Sequence, residues 1–71
     1  MTYRDVNDIT ADEYLAELQR RKGVPAYQVE LFVALGGSPA DHRYAYLSYL
    51  TRELRDRGIP VMSDRRQGVW L

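Results

Sequence analysis

Nine of the ten basic residues in this 71-residue chain are arginines, and that choice is its strongest chemical signal. A guanidinium presents a planar fork of donors that matches a phosphate group or a base edge bidentately. Codon usage in a GC-rich genome gives the same bias. Other reactive chemistry is thin. His42, the single histidine, follows Asp41, but neighbours on a helix point about 100° apart and form no catalytic dyad. With no cysteine and one histidine, a zinc site would have to be built from carboxylates and water. No glycine-rich phosphate loop, nucleophile elbow or His-x-x-x-His pair occurs. The residues point to a protein that acts by occupying a partner, without catalysis and without a cofactor.

The ten basic and ten acidic residues cancel, yet they are not evenly spread. Residues 1–42 hold four bases against seven acids, whereas residues 43–71 hold six arginines against three acids. The second half is therefore the half expected to meet a polyanion. At this length one compact unit with a small core is expected, and a small core invites dimerisation. No apolar run is long enough to span a membrane, no secretion signal follows Met1, and the lack of cysteine suits a reducing, cytoplasmic setting.

Five elements must position the arginines. After an N-terminal arm (1–9), Thr10 and Glu13 make a capping box with Ile9 and Tyr14 as a staple. A first helix over 10–22 follows, its stripe formed by Ala11, Tyr14, Leu15 and Leu18. Val24, held extended by Pro25, can add a one-residue strand. A second helix over 25–36 is apolar almost all round and is expected to be the most enclosed element, ending at Gly36-Gly37. Ser38-Pro39-Ala40-Asp41 starts a third helix over 38–57, with Leu47, Leu50 and Leu54 inward and Ala45, Ser48, Tyr49, Arg52 and Asp56 outward, His42 near its start. Gly58 closes it, and residues 59–71 read as a hairpin with Asp64-Arg65-Arg66-Gln67 at its tip and Trp70 as the plug beneath.

This α+β order, and two stretches in particular, resemble the winged helix-turn-helix DNA-binding domains, including the biotin-operon-repressor type and small phage and bacterial regulators. Glu30-Leu31-Phe32-Val33-Ala34-Leu35-Gly36-Gly37-Ser38-Pro39 is similar to the second helix and turn of that family. Glu53-Leu54-Arg55-Asp56-Arg57-Gly58-Ile59-Pro60-Val61, with Gly68-Val69-Trp70-Leu71, is similar to the end of its recognition helix and its wing. The span from Ser38 to Gly58 is about a turn longer than usual, so the third helix is extended or its first turn irregular. The resemblance implies that the third helix enters a major groove of double-stranded DNA while the wing lies on the adjacent backbone or minor groove. Carried over by position, His42, Ala45, Ser48, Tyr49 and Arg52 would face bases or nearby phosphates, and Arg65, Arg66 and Gln67 would be wing contacts.

Duller roles stand beside these. Arg55 and Arg57 suit the helix dipole and solubility, and Tyr44 and Tyr46 suit packing at the helix–hairpin junction. A domain this small makes few base contacts, so a homodimer or side-by-side oligomer is expected, with the acidic first third facing outward toward a protein partner. The rival reading is a protein-interaction module on the same scaffold, including an inhibitor that mimics nucleic acid.

Overall fold

The computed structural model describes residues 2–71. Three helices, α1 (Ala11–Arg20), α2 (Gln28–Ala34) and α3 (Leu47–Asp56), precede an antiparallel hairpin of β1 (Met62–Asp64) and β2 (Gly68–Trp70). The expected α+β class is the one observed, and the arrangement is consistent with a winged helix. Short 3-10 helices at Val6–Asp8 and His42–Tyr46 complete the order.

The start of α1 follows its sequence signal. Thr10 Oγ1 accepts from the Glu13 amide at 3.2 Å, and Glu13 Oε1 accepts from the Thr10 amide at 3.3 Å. Ala11, Tyr14 and Leu18 turn inward, and the helix ends where Lys22 takes a left-handed φ of 51° ahead of Gly23. The N-terminal arm is part of the body. Val6 and Ile9 are in the core, the Arg4 amide donates to the Gly36 carbonyl at 2.9 Å, and the Arg4 guanidinium binds Glu13 and the Asp8 carbonyl.

The core is one cluster in which Tyr14, Leu18, Leu31, Phe32, Leu47 and Leu54 are fully enclosed. Within it the Tyr14 and Thr51 hydroxyls, both buried, share a hydrogen bond at 2.9 Å and join α1 to α3. Burial raises the Tyr14 pKa, and the hydrogen bond from Thr51 opposes that shift.

Four expectations need correction. The second helix spans seven residues, and only Leu31 and Phe32 on it are buried, because its apolar residues outnumber the space beneath so short a helix and leave Val33 exposed. The extra strand position is Ala26, which exchanges backbone hydrogen bonds with Val69 at 2.8 and 2.9 Å; Val24 lies outside, 62% exposed. Pro25 cannot donate, so the first residue able to pair on both sides is the one after it. The plug beneath the hairpin is Val69. Trp70 pairs with Met62 and is only half-buried, since successive strand residues point to opposite faces. Finally, α3 begins at Leu47, nine residues after the expected start.

Candidate nucleic-acid interface

The late start of α3 follows from two successive local caps. Ser38 to Asp41 closes a turn, with the Asp41 amide donating to the Ser38 carbonyl at 3.1 Å and the Ala40 amide to Ser38 Oγ at 3.2 Å. Asp41 then accepts from the Arg43 amide at 3.0 Å and caps the 3-10 helix His42–Tyr46, which runs directly into α3. The one-turn excess over the usual span is thus an irregular first turn. In a 3-10 helix residues three apart eclipse one another, so His42 and Ala45 align along one edge before the 3.6-residue period begins.

All eight residues singled out from the sequence, His42, Ala45, Ser48, Tyr49, Arg52, Arg65, Arg66 and Gln67, are exposed. The fold gathers some and separates others. Ser48, Tyr49 and Arg52 line a cleft of about 370 Å3 between α3 and the hairpin, together with Gln28, Arg55 and Ser63. Arg65 lines an adjoining cleft of about 510 Å3 with Tyr27, Gln28, Tyr44 and Asp64. Arg65, Arg66 and Gln67 form the hairpin turn itself. That turn is held from two sides: the Tyr27 hydroxyl donates to the Arg66 carbonyl, and the Arg66 amide donates to Asp64 Oδ1 at 2.6 Å. His42 and Ala45 stand apart on the 3-10 helix, lining neither cleft.

Arg55, Ser63, Gln28 and Tyr27 are the lining residues that sequence reasoning missed. A signal existed for the first of them. Ser48, Arg52 and Arg55 are spaced i, i+4 and i+7 and so share one stripe. The others enter from distant parts of the chain, with no periodicity to announce them.

Electrostatics separates the cations into two groups. Arg4 pairs with Glu13, Arg20 and Arg21 with Glu17, Arg43 with Asp5 and Asp41, and Arg57 with Asp12 and Glu53. The side-chain hydrogen bond from Arg4 holds Glu13 down to about 2, and that from Arg43 lowers Asp41. Arg20 likewise lowers Glu17, whose carboxylate is only 7% exposed. Among the described residues the cations without an ion pair are Lys22, Arg52, Arg55, Arg65 and Arg66. Four of those five belong to α3 or the hairpin turn.

The acidic first third is correspondingly less of a free surface than its composition suggests. Asp5 and Asp12 reach across the fold to arginines of the second half, and Glu17 is enclosed. On the other flank of α3, Tyr46 and Tyr49 meet edge to face with ring centres 6.1 Å apart, beside a groove lined by Val6, Ile9 and Leu50. Tyr49, 67% exposed, is the ridge between that groove, whose lining also includes Asn7, and the arginine-lined cleft.

Comparison with protein-family models, curated proteins and solved structures finds no match. The reading of this surface therefore rests on its own geometry. Among the described residues no cluster of three or more metal-ligating side chains occurs, and no helix is long and apolar enough to cross a membrane.

Proposed function

We propose that this chain is a small sequence-specific DNA-binding protein, a transcriptional regulator or an accessory factor of phage or mobile-element biology. In this reading α3 and its 3-10 lead enter the major groove, and the Arg65-Arg66-Gln67 turn lies on the adjacent backbone or minor groove. The observation that carries it is the sorting of arginines: Arg4, Arg43 and Arg57 each meet carboxylates and Arg20 and Arg21 share Glu17, whereas among the described residues Arg52, Arg55, Arg65 and Arg66, on α3 and the hairpin turn, have no carboxylate partner. An unpaired guanidinium is available to displace counterions from a phosphate backbone, and the neutral net charge of the whole chain is no obstacle to that local field. Tyr49 and the His42–Ala45 edge supply the side chains that can meet bases.

The test is a mobility shift against a random-sequence duplex pool at low and at physiological salt, with sequencing of the retained fraction. Four engaged arginines predict that log K falls with log salt with a slope of about −3 to −4. Retention of no duplex even at low salt overturns the reading. A protein-interaction module is the second reading, favoured by the exposed Tyr46–Tyr49 pair beside a groove. Its binding would respond little to salt, because the contact would be aromatic rather than ionic.

A further inference from the structure

We infer that the cleft between α3 and the hairpin is a phosphate notch, in which Arg55 and Arg52 together grip one phosphodiester of a DNA backbone. The inference rests on the DNA-binding reading and, of the bases or nearby phosphates that Arg52 could face, assigns it to the phosphate backbone.

Arg55 is already oriented for the task. Its Nε donates to the Val61 carbonyl at 2.9 Å and one Nη2 proton goes to Ser63 Oγ at 3.1 Å. These bonds fix the plane of the guanidinium against the hairpin and leave Nη1 without an intramolecular acceptor. A guanidinium held by neutral acceptors leaves its charge uncompensated, unlike that of Arg43 or Arg57, whose forks are occupied by carboxylates. Less side-chain freedom is then lost on binding, which favours the site.

The remaining walls fit the same ligand. Arg52, one turn before Arg55, lines the same cleft and has no hydrogen-bond or ion-pair partner among the described residues, so its fork is free to close from the helix side. Ser48, Ser63 and Gln28 bring neutral hydroxyl and amide donors, and no carboxylate lines the cleft. Two positive charges and neutral donors lining one cleft, with no carboxylate among its lining residues, suit an anionic oxygen cluster, whereas a guanine edge offers two neutral acceptors and is filled by a single fork. A phosphodiester is favoured over a free phosphoryl group because one wall of the cleft is the hairpin, whose turn carries the unpaired Arg65 and Arg66. A continuous backbone can engage all four arginines at once.

The test combines arginine side-chain NMR on the wild-type protein with salt titrations of variants. The Arg55 Nε–H is hydrogen-bonded, so its resonance is a resolved reporter of the notch. Adding a random-sequence duplex should shift the Arg52 and Arg55 Nε signals, while inorganic phosphate alone should not do so saturably. Arg52→Gln, which removes no internal bond, should weaken every duplex alike and lower the salt slope by less than one, because Arg55 still meets the same phosphate. Arg55→Lys, which keeps the charge but not the fork, should weaken duplex binding with the Trp70 fluorescence of the hairpin unchanged. Duplex binding that moves neither arginine signal, or an Arg52→Gln variant that relaxes one base position and leaves the other positions bound as before, overturns the notch while the DNA reading stands. A saturable phosphate shift without duplex binding overturns the backbone assignment and the DNA reading together, leaving a free phosphoryl site.

Discussion

Substituting Gly68 by alanine should detach the hairpin from the body of the protein. Gly68 has φ of +103°, and a Cβ there would lie 2.4 Å from the Ala26 carbonyl oxygen and 2.6 Å from its carbon. Those are backbone atoms, so no side chain can swing away. Relief requires the segment at Ala26 and the hairpin to part, with loss of the two Ala26–Val69 hydrogen bonds of 2.8 and 2.9 Å. Each such bond contributes about 1 kcal/mol net. Forcing an L-residue into the left-handed region adds about 1 to 3 kcal/mol. The total, about 3 to 5 kcal/mol, is large against the roughly 4 to 10 kcal/mol that a chain of this length commands. Trp70, the single tryptophan, sits on β2, so its fluorescence reports the hairpin while far-ultraviolet circular dichroism reports the helices. In urea the Gly68→Ala variant should lose the Trp70 signal at lower denaturant than the helical signal, and duplex binding should fall with the former. Coincident transitions with a loss under about 1 kcal/mol would refute the close-approach reasoning.

Three further outcomes follow from the structure. Thr10→Ala removes the side chain that accepts from the Glu13 amide, and should cost about 1 kcal/mol by urea denaturation, less if another acceptor takes over. Glu13, lowered in the fold to about 2 by the Arg4 hydrogen bond, contributes stability that is present above its unfolded pKa, near 4.5, and lost as pH falls toward 2. The urea midpoint should therefore decline across that window, and Arg4→Met should flatten the decline; an equally steep fall in the variant would show that other carboxylates carry it. Arg65→Ala and Arg66→Ala should each weaken binding to all duplexes and reduce the salt slope by about one, whereas Arg20→Ala, whose charge is spent on Glu17, should leave the slope unchanged. Equal slopes for all three variants would contradict the division between paired and unpaired cations.

Much of the scaffold was legible because it is written in short-range chemistry. The capping box at Thr10, the inward positions of α1, the end of α3 near Gly58 and the arginine-bearing turn each depend on residues within a few positions of one another. Where local signals competed, the reading slipped. Ser38 and Asp41 are both good caps, and the sequence offered no means of ranking them. In the fold Asp41 takes the helical start, its carboxylate also binding the Arg43 guanidinium, which is drawn in turn toward Asp5. The long apolar run of the second helix suggested enclosure, but enclosure depends on how much surface the neighbours present, and the neighbours cover only Leu31 and Phe32.

The sequence by itself determined the order of elements, the hydrophobic stripes and the presence of arginines at the outer face of α3 and the hairpin turn, since these follow from periodicity and turn chemistry. Tertiary structure decided which arginines remain charged toward solvent. Arg43 meets Asp5, and Arg57 meets Asp12, across long stretches of chain, while Arg55 turns to the Val61 carbonyl and Ser63 beside Arg52. Charge pairing depends on distance in space, and that distance is fixed only when the helices pack around Tyr14, Phe32, Leu47 and Leu54 and bring the hairpin against Ala26.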